Sequence, residues 1–174
     1  MNEAKEIFLK YGGSYFHMER DGKLTKYKHY DIDESTEKVW LREYQEEIIA
    51  QIQAGNSIDI YLTKLCSVMR QIKDDEYLEK LFNTLGESFK NADTFIKLRI
   101  AEELQEVIKF FVTNNIGDMK KLANYKNLTI DILRKVISQP VVISEDTRKN
   151  VAFEDTLREE NIRQRADQKL KELE

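Results

Sequence analysis

The chain is predicted to be mainly α-helical: an irregular helical bundle or short α-solenoid of about six to eight helices, with an N-terminal β-hairpin. Three observations predict this. One proline and six glycines among 174 residues leave the chain few places to break. Apolar residues recur at helical spacing from Trp40 to Ile137. Asp21-Gly22, a favoured pair for a two-residue type I′ turn, lies between SYFHME and LTKYKHY, both rich in strand formers.

Taken in order, residues 3–10 (EAKEIFLK) are good helix formers, and Gly12-Gly13 allows a left-handed stop. The hairpin is expected over residues 14–30. Strand alternation would put Phe16, Met18, Thr25, Tyr27 and His29 on one face, with Phe16 and Tyr27 docking on Trp40 and Tyr44. The opposite face would carry Tyr15, His17, Glu19, Lys26 and Lys28, with Leu24 as its apolar exception.

From Asp31 the period changes. Asp31, Asp33 and Ser35 are alternative caps for a helix carrying Trp40, Tyr44, Ile48 and Ile52, ending at Gly55. Asn56 or Ser57 caps the next helix, to Ile72, and Asp74 caps a third with Leu78, Leu81, Phe82, Leu85 and Phe89 on its stripe. Within it, Gly86 is expected to mark the close approach of a neighbouring backbone. Asn91 or Asp93 opens the most apolar helix (Ile96, Ile100, Leu104, Val107, Ile108, Phe111), expected at the centre of the bundle. Residues 114–127 read as loop with one short helical turn, and Asn127 or Thr129 caps a helix to Ser138 that Pro140 ends. Ser144 starts a final helix, increasingly charged toward residue 174. Residues 1–143 therefore form the helical domain, and 144–174 a charged C-terminal helix that packs on it, frays, or pairs with a partner.

Residues 91–104, NADTFIKLRIAEEL, resemble the second helix of a HEAT-type repeat: Asp93 opens the helix, Ile96 and Lys97 follow, and Ile100, Ala101 and Leu104 recur at helical spacing. The resemblance covers only residues 75–104, and Thr94 stands where such repeats often have proline. It implies a scaffold or binding role rather than chemistry.

With 28 basic and 32 acidic residues the net charge is −4, which disfavours a general affinity for nucleic acid or anionic membrane. No stretch approaches the length of a membrane span, and the N-terminal residues lack the pattern of a cleaved leader. The single cysteine, Cys66, cannot form an internal bridge and sits among Leu62, Leu65 and Met69 as a buried small hydrophobe. A cytoplasmic protein is expected.

Catalytic constellations are missing. His17 and His29 would face opposite sides of the hairpin, and no other histidine or paired cysteine completes a ligand set. Glu102 and Glu106 share a helix face, as a divalent-metal site would need, but without the Glu-x-x-His element of di-iron bundles. No cofactor is implied. The expected function is that of a small protein-interaction module (an adaptor, inhibitor or immunity-like binder) without catalytic activity. Its expected partner is another protein, engaged through Tyr15, His17, Lys26, Lys28 and Tyr30, and homo-oligomerisation would use the C-terminal helix. The alternatives are a divalent-metal-dependent enzyme using helical carboxylates and nucleic-acid binding through the Lys/Tyr hairpin.

Overall fold

The computed structural model describes residues 3–54, 58–73 and 75–174. Among them are ten α-helices, one 3-10 helix and no strand. The helices are α1 (Glu3–Lys10), α2 (Tyr15–Arg20), α3 (Leu24–Lys28), α4 (Glu34–Gln53), α5 (Ile58–Ile72), α6 (Glu76–Asn91), α7 (Thr94–Thr113), α8 (Met119–Ser138), α9 (Glu145–Asn150) and α10 (Glu159–Leu173). The 3-10 turn is Glu154–Leu157.

The mainly α expectation holds, but the hairpin does not exist: residues 14–30 form α2 and α3. The reason lies in Asp21-Gly22. A type I′ turn needs positive φ at both residues, whereas Asp21 has φ −93° and ends α2, and only Gly22, at φ +67°, is left-handed. Gly22 N–H bonds to Glu19 C=O at 2.9 Å and Lys23 N–H to Met18 C=O at 2.7 Å, the paired bonds of a left-handed helix stop. Ser14 caps the other end by accepting from His17 N–H. Gly12 and Gly13, both at positive φ, stop α1 in the same way, with Gly13 N–H on Phe8 C=O at 3.0 Å.

Three further expectations fail, the first being a single final helix from Ser144: the chain leaves the helix at Val151 and passes through the 3-10 turn before α10 begins at Glu159. Residues 114–127 are not mostly loop, because Gly117 turns the chain at φ +81° and Asp118 caps α8, accepting from the N–H groups of Lys120 and Lys121. The helix therefore begins at Met119, well before Asn127 or Thr129. Gly86 is approached by no backbone among the described residues: a Cβ there would meet none of their atoms within 4 Å. The expected stop at Gly55 and the caps at Asn56 or Ser57 and at Asp74 lie outside the described residues. Asp33 and Asp93 cap α4 and α7 through their carboxylates.

Three cores hold the helices. Ala4, Phe8, Met18, Tyr27, Trp40, Leu41 and Val68 join α1–α3 to α4 and α5. The largest core runs from Ile48 to Leu122, built by α4–α8 around Leu65, Leu78, Leu104 and Phe111. A third joins α7, α8 and α10 through Leu98, Ala101, Leu133, Ile162, Ala166 and Leu173. The thin apolar stripe of the C-terminal helix is thus spent on the body. Its charged flank is paired as well: Arg165 grips Glu102 at 2.8 Å, Lys169 meets Glu106 at 3.3 Å, and Gln105 donates to Glu172 at 2.9 Å.

Asp93 ties two ends together. One carboxylate oxygen caps α7, and the other accepts from Ser144 N–H, Ser144 Oγ and Thr147 Oγ1 at 2.6–3.0 Å, fixing the start of α9. Burial, which pushes this carboxyl up, is outweighed by those hydrogen bonds, so it is held below its ordinary value.

Candidate functional site

The five residues expected to form one binding face are divided by the helices. Tyr15 donates to Glu37 Oε1 at 2.5 Å, and buried Tyr27 donates to the same oxygen at 2.6 Å. Burial, reinforced by the Glu37 carboxylate, pushes the Tyr15 hydroxyl up to about 12 and Tyr27 in the same direction. Phe8 stacks on Tyr27 at 5.4 Å and meets Trp40 edge-on at 6.0 Å, so Tyr27 reaches Trp40's cluster as expected. Phe16 does not: it is 71% exposed, with its ring tilted against His17. The α2 period is the cause. It turns Met18 inward and leaves Phe16 outside, where strand alternation would have put both on one face.

Lys26 and Tyr30 converge on the Glu3 carboxylate of α1. These hydrogen bonds hold Glu3 below the usual carboxylate range. Tyr15, Lys26 and Tyr30 therefore fasten α2 and α3 to their neighbours, and only His17 and Lys28 remain as exposed polar groups on separate helices. His29 turns its ring back to Thr25 C=O at 2.7 Å.

The carboxylates of the metal alternative are engaged too. Glu102 holds Arg165 and Arg99, and Glu103 accepts from Thr63 at 2.8 Å and faces Arg99. Among the described residues no three His, Cys, Asp or Glu side chains are grouped to hold a metal ion. Cys66 is fully buried, and burial pushes its thiol far up, the opposite of activation.

What the fold leaves unfilled is a groove between α6 and α8. Its volume is about 550 Å³. Ile100 and Leu104 of α7 form the floor, Phe82, Leu85, Gly86 and Phe89 one wall, and Tyr125, Leu128 and Ile132 the other. One end is pinned shut. Asp75 accepts from Asp118 N–H at 3.0 Å, Lys121 pairs with Glu79 at 3.1 Å, and Phe82 stacks on Tyr125 at 4.3 Å. Toward Phe89 and Ile132 the walls are not bridged by any such pair among the described residues, and Leu128 is 49% exposed. Gly86 sits in the middle of a wall with open space where its side chain would be. A mid-helix glycine costs about 1 kcal/mol relative to alanine, and none of the described neighbours requires one here.

The sequence carried part of this site. Phe82, Leu85 and Phe89 were legible as an apolar stripe, and Gly86 as an anomaly within it. The opposite wall is harder to see, because the polar composition of residues 114–127 suggests loop, although Asp118 followed by Leu122, Tyr125 and Thr129 is a capped helical pattern. A second cleft, about 570 Å³ between α5 and α7, is lined by Arg70, Glu103, Glu106 and Lys109, and both of its carboxylates already have partners.

Among the described residues no helix is long and apolar enough to cross a membrane. No family model, no curated protein and no solved structure matches the chain.

Proposed function

We propose that this is a non-catalytic, cytoplasmic protein-interaction module whose docking surface is the α6–α8 groove, taking an apolar segment of another protein. The supporting observation is the groove itself: an apolar floor and two largely apolar walls that none of the described residues covers, with Gly86 leaving room at mid-wall. Its place differs from the one expected from the sequence, because Tyr15, Lys26 and Tyr30 are engaged within the N-terminal helices. The cytoplasmic assignment is supported by a lone, buried thiol in a chain held together without disulfides.

The test is a titration of the isotope-labelled protein with short peptides of equal composition, patterned either for a helix or for a strand. Binding should move the Gly86 amide and the Leu128 methyls first. The variant Leu128→Asp, on an exposed wall position, should abolish the shifts while leaving the circular dichroism spectrum unchanged. Shifts confined to α2 and α3, or none with any peptide, would overturn the assignment.

A further inference from the structure

We infer that the occupant of the groove is an amphipathic α-helix of another protein, about three turns long, with carboxylates at the end that passes Lys97 and Lys135. This rests on the groove being a docking surface and adds what the surface recognises.

Length and wall geometry point to a helix. At 1.5 Å per residue the α6 wall from Glu79 to Phe89 runs about 15 Å and the α8 wall from Lys121 to Lys135 about 21 Å, the span of roughly three to four helical turns. Both walls are helices, so the ridges and gaps they offer are spaced for side chains recurring at i, i+3, i+4 and i+7. An extended peptide would instead need a free strand edge, and no strand occurs among the described residues. Gly86 lets another backbone come close at the middle of the groove, as small residues do where helices pack tightly.

Charge fixes the direction. At the closed end Lys121 is already neutralised by Glu79. One turn before the open end stands Asp131, and at the open end Lys135 lines the α8 wall. At the same end, Lys97 of α7 is held over the ring of Phe89, which lines the α6 wall, at 5.6 Å. Neither Lys97 nor Lys135 has an ion-pair partner among the described residues. The chain order places them together, since α6 ends where α7 begins and α8 runs back antiparallel to α7. Among the described residues the groove thus has a closed end whose ion pair is satisfied and an open end where Lys97 and Lys135, with Asp131 one turn away, have no ion-pair partner. A helix carrying carboxylates at the open end gains two charge contacts there, whereas one carrying lysines meets repulsion.

The test uses three labelled amphipathic peptides of about four helical turns. They are identical except for paired Glu, Gln or Lys at one end, and they are measured by fluorescence polarisation against the full chain at low salt. The Glu peptide is expected to bind about three- to tenfold more tightly than the Lys peptide, with the gap closing as salt is raised. The Lys97→Glu/Lys135→Glu variant should reverse the order. Lys135→Glu alone, on the exposed wall, should narrow the gap without a change in thermal midpoint. Equal binding of all three peptides with Gly86 amide shifts, or binding of the Lys peptide alone, overturns this inference and leaves the docking surface standing. No binding and no Gly86 shift by any peptide removes both.

Discussion

The N-terminal helices and the α6–α8 groove are both rich in aromatic side chains, yet they use them in opposite ways. The Phe8 ring packs face-on to Tyr27 and edge-on to Tyr15 and Trp40, and the hydroxyls of Tyr15 and Tyr27 share one oxygen of Glu37, a residue only 8% exposed. Of the Phe, Tyr and Trp rings there, only Phe16 stays largely exposed, tilted against His17. In the groove, Phe82 and Tyr125 pair at the closed end, while Leu128, Gly86 and the mouth beyond them face open space. Aromatic enrichment in sequence can therefore be spent entirely on contacts inside the chain, whereas uncovered apolar area shows only in the fold.

Substitutions can break this contrast, beginning with the largest effect. Phe8→Ala removes a ring that is 1% exposed and touches Tyr15, Tyr27 and Trp40, and it should cost about 3–5 kcal/mol in urea unfolding. A loss below about 1 kcal/mol would mean the N-terminal cluster is not a core.

Two glycines give the contrast in opposite signs. Gly13→Ala places a Cβ at φ +79°, 3.1 Å from Leu41 and 3.2 Å from Phe8, and should destabilise by more than about 1 kcal/mol. Gly86→Ala meets nothing and should raise stability by about 0.5–1 kcal/mol while weakening any helix bound in the groove. A destabilised Gly86→Ala would show that the wall is more crowded than it looks.

Tyr15→Phe should cost about 1 kcal/mol, less than a fully buried bond to a charged group because Tyr15 is 44% exposed. The same bond predicts an alkaline response. Tyr15's folded value near 12 lies above the ordinary 10, so its contribution is whole below pH 10 and is lost as pH rises from 10 to 12. Denaturant midpoints should fall over that window, and less steeply in Tyr15→Phe. Asp93 gives the smallest and opposite case. Its depressed carboxyl contributes above the unfolded value and is lost as pH falls below it, so Asp93→Asn should flatten the acid limb of the same titration.

The long helices were legible because period survives over many residues: α4, α5, α6 and α7 each show an apolar stripe of about three to four turns. Residues 14–30 were not, for a local reason. Segments of five and six residues are too short to separate a period of two from one of 3.6, and Asp-Gly serves a hairpin turn and a helix stop alike. The start of α8 was masked by composition, since Lys120, Lys121, Asn124, Lys126 and Asn127 dilute the stripe around Leu122 and Tyr125. The groove depended on that wall, so the site was half visible. Its unfilled state was not visible at all, because vacancy is a property of how three helices diverge and not of any one stripe.

The three cores also have an order in time. Their buried members run from Ala4 to Val68, from Ile48 to Leu122 and from Phe95 to Leu173, overlapping stretches laid end to end along the chain. A polypeptide emerging from the ribosome could complete each in turn, with α4 and then α7 serving as the shared surface on which the next is built. Arg165 reaches back 63 positions to Glu102, and Ile162 and Ala166 share a core with Leu98 and Leu133, so the apolar faces of α7 and α8 that α10 covers are the last to close during synthesis and stay open to aggregation until it arrives.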